Sequence, residues 1–195
     1  MTNWYTSDSH FYHKSVIDFC NRPFSDVDEM NAAMIESWNQ VVGKSDIVYH
    51  LGDFCFGGIE KWTEILDQLN GEIILIKGNH DDSKTLKKLT NKGYFKEIHE
   101  VGLYRKQKYK GVKYQMWLSH YPMQIGMRER KFSIHGHLHD EKSRDLNQIN
   151  VGVDSFRLPN RPFGQPIEED VLMKYLMASN PFIKMVKEEE RRGVR

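Results

Sequence analysis

The sequence predicts an α/β protein, and two observations support that prediction. Short apolar runs alternate along the chain with segments of helical periodicity. Most of these apolar runs are followed directly by polar side chains that can bind a ligand, which is typical of strands ending at the carboxyl edge of an α/β sheet. The 195 residues suffice for one domain with a sizeable core. We expect that domain over residues 1–183 and a charged tail over residues 184–195.

The first half of the chain alternates predicted strands with predicted helices. In chain order, the expected elements are strand 4–6, helix 27–41, strand 46–51, helix 59–69, strand 72–77 and helix 82–89. Ser25 or Asp26 is the expected N-cap of the first helix, and Gly43 is expected to end it. The third strand is apolar nearly throughout, as in a strand that is covered on both faces.

The second half of the chain is richer in predicted strands. Residues 95–119 are strand-like, with a turn near Lys110-Gly111. Further strands are expected at residues 132–135 and 148–153. A last helix is expected over residues 167–177, entered through a proline.

The composition narrows the range of functions. The formal net charge is +1, so the chain as a whole produces no field that attracts nucleic acid or an acidic membrane. The longest apolar runs are far too short to cross a bilayer, and the first residues show no secretion signal. Cys20 and Cys55 are the only cysteines, which fits a reducing, cytoplasmic setting and assigns no role to either.

Seven polar side chains at five predicted strand ends form the main functional signal. They are Asp8, His10, Asp53, Asn79, His120, His137 and His139. Two pairs of these residues are separated by a single position, which places both side chains on the same side of an extended segment. A glycine precedes three of them and allows a sharp turn or a close backbone approach. Seven ligands exceed the roughly four of a zinc ion, so the set suits two ions that share a carboxylate, and oxygen and nitrogen donors fit Mn, Fe, Zn or Ni.

These motifs resemble those of the calcineurin-like metallophosphoesterases. The resemblance lies in Asp8-x-His10, Gly52-Asp53, Gly78-Asn79-His80-Asp81, His120 and Gly136-His137-x-His139, which follow that family's order. Residues 6–13 and 20–24 also resemble a small bacterial and phage branch of the family. The resemblance implies two packed mixed β-sheets flanked by helices, arranged as a four-layer sandwich.

The resemblance further implies a role for each motif residue. One divalent ion would be bound by Asp8, His10 and His139, and a second by Asn79, His120 and His137. Asp53 would bridge the two ions, for which manganese is the favoured metal. His80 would not bind metal but would give a proton to the leaving oxygen of a phosphate ester.

Residues near the motifs have less specific interpretations. Asp81 is interpreted as the N-cap of the following helix, with orientation of His80 as the alternative. His135 is expected outside the metal shell, as a supporting or surface residue, because the ligand set is full without it. His50 lies within a strand and is expected to be a hydrogen-bonded structural residue. Candidates for contact with the substrate are His13, Arg22, Arg128 and Arg130, the arginines because a guanidinium is a donor fork that suits phosphate.

Residues 104–114 are basic, with interleaved aromatic residues. One interpretation is contact with single-stranded nucleic acid. The favoured interpretation is an exposed hairpin whose lysines keep its edge from pairing with other chains.

The leading functional hypothesis is a di-metal phosphoesterase acting on a small soluble phosphate ester, with a diester or nucleotide-like substrate ahead of a monoester. A nuclease acting on single strands and a metal-binding interaction scaffold are the alternatives. A metallo-β-lactamase-like hydrolase would leave the early Asp8-x-His10 motif unexplained. An amidohydrolase barrel would need about 250 residues, more than this chain has. No membrane partner is expected.

Overall fold

The computed structural model describes residues 1–155 and 161–179, so the expected tail at residues 184–195 lies outside the described residues. The predicted fold class is confirmed: two mixed β-sheets pack face to face and helices flank them. None of the helices in the described ranges is long and apolar enough to cross a membrane.

The first sheet is built mainly from the first half of the chain. Its strand order is β4-β3-β2-β1-β9, and the bounds are β1 Asn3–Thr6, β2 Ile47–His50, β3 Glu72–Ile76, β4 Glu97–His99 and β9 Ile167–Glu168. The first four strands are parallel and β9 is antiparallel to β1. The carboxyl ends of β1, β2 and β3 therefore lie side by side at one edge.

The second sheet has the strand order β5-β6-β7-β8. Its strands are β5 Gly102–Tyr109, β6 Val112–Ser119, β7 Lys131–His135 and β8 Gln148–Asn150. The β5–β6 hairpin turns at Lys110 and Gly111, both with positive φ, which is the predicted tight turn. β6, β7 and β8 run parallel, so their carboxyl ends also share one edge.

Two hydrophobic cores hold these layers together. The helices α1 Lys14–Phe19, α2 Val27–Asn39, α3 Ile59–Leu66 and α4 Ser83–Asn91 follow the strands of the first sheet. The first core joins helix residues such as Met34 and Trp62 to sheet residues such as Val48. The second core lies between the sheets and joins residues such as Tyr5 and Ile134 to Leu172 of α5, which spans Glu169–Ser179. Burial of these apolar side chains on both faces explains why β2 and β3 are nearly continuous apolar runs.

The boundaries of four helices differ from the sequence prediction. Helix α3 ends at Leu66, three residues before the predicted end at residue 69. Helix α2 begins after its predicted N-cap Asp26 but ends at Asn39, before the expected stop at Gly43. Helix α4 is capped by Asp82, whose carboxylate accepts a hydrogen bond of 2.8 Å from the Thr85 amide. The prediction that Asp81 caps this helix is therefore wrong. The last predicted helix starts two residues late, because Ile167 and Glu168 pair with β1 as β9.

Candidate metal centre

The carboxyl edges of the two sheets meet at one place. Ser7, just after β1, forms a parallel bridge with Gly152, just after β8. The Val153 amide donates to the Ser7 carbonyl at 3.1 Å, so backbone hydrogen bonds connect one sheet to the other. Polar residues that follow strands of either sheet are thereby brought together.

Three of the predicted ligands converge where β1 and β7 end. The carboxylate of Asp8 and the imidazoles of His10 and His139 offer ligand atoms that all lie within 4.8 Å of one another. The rings of His10 and His139 are stacked, with centroids 5.2 Å apart. Asp8 is fully buried, and both of its carboxylate oxygens accept from the His137 amide at 2.9–3.0 Å.

A second convergence is centred on Asp53. Its carboxylate lies 3.5 Å from His10 Nε2 on one side and 3.4 Å from His120 Nε2 on the other. His120 Nε2 also lies 2.8 Å from the side-chain oxygen of Asn79. One oxygen of Asp53 thus lies within 3.5 Å of an imidazole nitrogen from each group of donors.

His137 adjoins the second group. Its ring centroid lies 5.1 Å from that of His120 and 4.5 Å from that of Tyr121, and the residue is half-buried. All seven predicted ligands are therefore within one region of the molecule.

The local backbone differs from the sequence prediction. Five of the seven, namely Asp8, His10, Asp53, His137 and His139, have φ between 48° and 68°. The backbone at these positions is therefore left-handed and not extended. The side chains do converge, but the extended segment that was expected to bring each pair together is not present. Asp and His are among the non-glycine residues that adopt this conformation most readily.

A close approach of two backbone segments explains the glycine before His137. A Cβ added at Gly136 would lie 1.9 Å from Ser7 Oγ and 2.4 Å from an Asp8 oxygen. Gly136 does not have a positive φ, so of the two expected roles, a sharp turn or a close backbone approach, the structure supports the close approach. Glycine is needed there because the backbone directly after β7 packs against Ser7 and Asp8.

Arg22 is not a substrate residue in this structure. It is 4% exposed, and its guanidinium donates to both oxygens of Asp154 at 2.8–2.9 Å. It also donates to the backbone carbonyls of Asp8 and Ser9, both at 2.8 Å. The fifth guanidinium N–H donates to Met30 Sδ at 3.4 Å. No donor is left for a phosphate, so the prediction of phosphate contact is corrected to an internal, positioning role.

Asp154 is a functional residue that the sequence analysis missed. Its carboxylate accepts from His139 Nδ1 at 2.8 Å, which leaves Nε2 of His139 free to bind a metal. Asp154 follows β8 in the same way that the predicted ligands follow their strands, so the rule applied to the other strands would have found it. Cys20 also offers its sulfur close to this pair.

Asp81 also supports the site, by binding the backbone of two loops that carry predicted ligands. Its carboxylate accepts from the backbone amides of Asp53, Phe54 and Gly78 at 2.8–2.9 Å, and the side chain is buried. It therefore joins the loop after β2 to the loop after β3 and does not act on the His80 ring.

His80 and His13 stand at the opening of the site. His80 is exposed, and its amide donates to Asp53 at 2.8 Å. Its ring centroid lies 5.4 Å from that of His10. His13 Nδ1 lies 3.2 Å from His10 Nδ1, and the His13 ring stacks on Phe56 with centroids 4.2 Å apart. His80 is therefore an exposed residue whose ring lies beside the predicted ligand His10.

Arg128 and Arg130 lie away from the metal ligands. They are exposed at the amino end of β7, whereas the ligands follow its carboxyl end. The five residues of β7 span about 17 Å, since a strand rises about 3.3 Å per residue. The prediction that these arginines contact a substrate at the metals is therefore corrected.

Two further histidines are buried and hydrogen-bonded, as was predicted for His50. His50 is fully buried and its Nε2 lies 2.8 Å from Ser9 Oγ. His135 is also fully buried, with its ring nitrogens near the Gly136 carbonyl and Ser143 Oγ. Its position inside the protein excludes the surface role that was one of the two expectations.

Burial and neighbouring charges shift the pKa values of several predicted ligands. Burial raises the pKa of Asp8 to about 6. Burial lowers the pKa of His10 to about 2, so the ring is neutral and able to bind a metal. Burial acts to raise the pKa of Asp53, but a hydrogen bond and charge from His120 hold it below its usual value.

The donor set passes a direct test for a metal. His10 Nε2 is buried and has no hydrogen-bond partner in the described structure, which is costly unless a ligand completes it. It points toward the Asp53 carboxylate that the second group shares. Nitrogen and oxygen donors of this kind suit divalent transition metals.

Comparison with known proteins gives a family match over nearly the whole chain. A family model described as calcineurin-like phosphoesterase matches residues 1–186. Gene 66 protein of Mycobacterium phage L5 is 32% identical over 186 residues, which cover 81% of this chain and 89% of the phage protein.

One further relative matches only part of this chain, and one solved structure matches most of it. The uncharacterized protein MJ1445 of Methanocaldococcus jannaschii is 53% identical over 77 residues, 38% of this chain. The match spans 44% of that protein's length. Among solved structures, the protein of unknown function AQ665 from Aquifex aeolicus has a TM-score of 0.63 and 27% identity, covering 89% of this chain and 98% of its own.

Proposed function

Because the chain belongs to the calcineurin-like phosphoesterase family, we propose that it hydrolyses a phosphodiester or nucleotide-like ester with two divalent metal ions, manganese favoured. The observation that carries the proposal is the convergence of two donor groups on Asp53, beside the unpartnered nitrogen of His10. Asp8, His10 and His139 would hold one ion, and Asn79, His120 and His137 the other. When bound, two such ions supply activation of water and neutralisation of charge on the phosphoryl group.

The protein's own contribution at the leaving oxygen falls to His80. Its backbone is held by Asp53 while its ring is exposed toward the opening of the site. Imidazole is the side chain that gives and accepts protons near neutral pH. We assign to His80 the role of general acid, which donates a proton to the leaving oxygen of the ester.

The preference for a nucleotide-like ester rests on the aromatic rim of the site. Phe19 and Phe56 are 60% and 40% exposed, unusual values for phenylalanine. Both rings contact His13, which lies against the ligand His10. Flat apolar rings around a phosphate-binding centre suit an ester that carries a base or another planar group.

The test compares esters that differ in their leaving group. Purified protein loaded with Mn²⁺ is assayed on a diester with a p-nitrophenol leaving group and on one with an alcohol leaving group. His80→Ala should lower kcat for the alcohol ester by about 10²-fold or more, have much less effect on the p-nitrophenyl ester, and leave metal content unchanged. His99→Ala, which alters a partly exposed histidine beside Glu97, is the matched control.

Asp53→Asn tests the metal dependence. It should reduce both bound metal and hydrolysis, because the shared carboxylate is lost. If the wild type binds no metal, or if Asp53→Asn hydrolyses both esters as well as wild type does, the proposed function is wrong.

A further inference from the structure

The second sheet has a solvent-facing side whose chemistry the metal centre does not use. We call this surface the outer face. It consists of Tyr104, Lys106 and Lys108 of β5, Lys113, Gln115 and Trp117 of β6, and Lys131 of β7. Strand register places them together: Tyr104 is opposite Trp117, Lys106 opposite Gln115 and Lys108 opposite Lys113, while Gln115 is opposite Lys131.

The register separates side chains that look mixed in the sequence. The inward positions of β5 and β6 carry Tyr109 and Tyr114, which join the core between the sheets. The outward positions carry the lysines together with Tyr104, which is 44% exposed. The outward strand positions of the outer face contain no acidic side chain, so its charge is uniformly positive.

The two aromatic residues of the outer face form one platform. The ring centroids of Tyr104 and Trp117 are 5.1 Å apart. The Lys131 ammonium lies 5.9 Å from the Trp117 ring centre. This platform is at the end of β6 that leads to His120, so the face runs from the basic hairpin toward the metal centre.

Protection of the sheet edge does not account for this arrangement. Lysines that protect an edge belong on the edge strand, here β5. Lys113 and Lys131 lie on β6 and β7, which are paired on both sides. Moreover, Lys108 and Lys113 are directly opposite each other, a like-charge pair that destabilises the sheet unless an anion lies between them.

A cleft beside the outer face extends the positive surface. It has a volume of about 450 Å³ and is lined by Lys106, Lys113, Arg128, Arg130 and Lys131, together with Tyr114, Gln115 and Glu129. Arg128 and Arg130, which lie away from the predicted metal ligands, thus belong to this surface.

We propose that the outer face binds a single-stranded nucleic acid, with bases stacked on Tyr104 and Trp117 and phosphates on the lysines and arginines. Aromatic side chains set among lysines are what an unpaired strand needs, because its bases expose flat faces that a duplex hides. The interaction is distinct from hydrolysis and is independent of the proposed function.

The experiment measures binding of the full chain, in EDTA, to a fluorescent single-stranded DNA of about 12 nucleotides by anisotropy. With about four phosphates contacted, affinity should fall about fiftyfold between ~50 and ~200 mM salt. The triple variant Lys106→Gln/Lys113→Gln/Lys131→Gln should weaken binding about tenfold or more and reduce the salt dependence. Tyr104→Ala should weaken it about tenfold through lost stacking.

A matched control changes the same charge elsewhere. Lys84→Gln/Lys87→Gln/Lys88→Gln alters three exposed lysines of α4, on the first sheet's side, and should bind like wild type. Circular dichroism and thermal unfolding of every variant report the fold. Hydrolysis of a small diester by wild type, measured separately with Mn²⁺, reports the proposed function alone.

Four results would each overturn the inference. They are the absence of binding at low salt, an equal loss in the α4 control, an unchanged affinity of folded Tyr104→Ala, and tighter binding to duplex DNA or to anionic lipid vesicles than to the single strand.

Discussion

At the scale of single residues, the candidate metal centre depends on backbone conformations that most side chains avoid. The left-handed region costs roughly 1–2 kcal/mol for an ordinary L-residue, and five predicted ligands occupy it. Long-range hydrogen bonds hold several of these residues in place, such as the His10 amide on the Asp53 carbonyl at 3.0 Å. The strain is retained because it directs ligands from neighbouring positions to one point.

Asp154 is the residue whose effect on a ligand is most directly testable. Asp154→Asn should weaken Mn²⁺ binding about 10–100-fold, because the amide fixes the His139 ring less firmly and no longer matches both Arg22 donors. Isothermal titration calorimetry of the metal-free protein with Mn²⁺ measures this change.

Asp140→Asn is the matched control for Asp154→Asn. Asp140 adjoins His139 in the chain but is exposed, so its substitution should leave Mn²⁺ affinity unchanged. Equal affinities of Asp154→Asn and wild type would show that His139 needs no carboxylate partner.

At the scale of elements, the site is assembled by loops that follow strands, and Asp81 fixes two of them together. Three amides from the loops after β2 and β3 converge on one buried carboxylate. Burial raises the pKa of Asp81, whereas the hydrogen bonds from the three amides act to lower it and so stabilise the charged carboxylate. The loop positions of Asp53 and Asn79 thus depend on a side chain that is outside the predicted ligand set.

Asp81→Asn should lower the free energy of unfolding by about 1–3 kcal/mol. The amide nitrogen of asparagine would face a backbone N–H that now donates to a carboxylate oxygen, leaving a buried donor unsatisfied. Urea unfolding of the metal-free protein measures the change.

The neighbouring residue supplies a control for Asp81→Asn. Asp82→Asn should change stability by only a few tenths of a kcal/mol, since asparagine and aspartate cap helices about equally well. A loss as large in Asp82→Asn as in Asp81→Asn would contradict the role assigned to Asp81.

At the scale of the whole molecule, the candidate metal centre lies between the two sheets. Asp8, His10 and Asp53 follow strands of the first sheet, whereas His120, His137 and His139 follow strands of the second. Metals bound by this set would tie the sheets together and bind only the folded chain.

Mn²⁺ at about 100 times its dissociation constant should stabilise the protein by about 2.7 kcal/mol, visible as a rise in Tm over the chelated protein. His137→Ala should lose much of this gain. His135→Ala should have a lower baseline Tm, because His135 is buried and hydrogen-bonded, but should keep the gain. An equal gain in the two variants would place His137 outside the metal shell.

The sequence by itself determined most of the strands along the chain and the candidate ligands. A short apolar run bounded by turn residues favours a covered strand, and polar residues directly after such a strand reach the sheet edge. For that reason, the motifs around Asp8, Asp53 and His137 could be recognised from the sequence.

Only the tertiary structure decided which charged residues support the metals and which face solvent. Arg22 and Arg130 carry the same side chain, yet one is buried against Asp154 and the other is exposed beside the outer face. Asp81 and Asp82 are adjacent, yet one joins two loops and the other caps a helix. Local sequence does not separate such pairs, because the partners that distinguish them are up to 132 positions away in the chain.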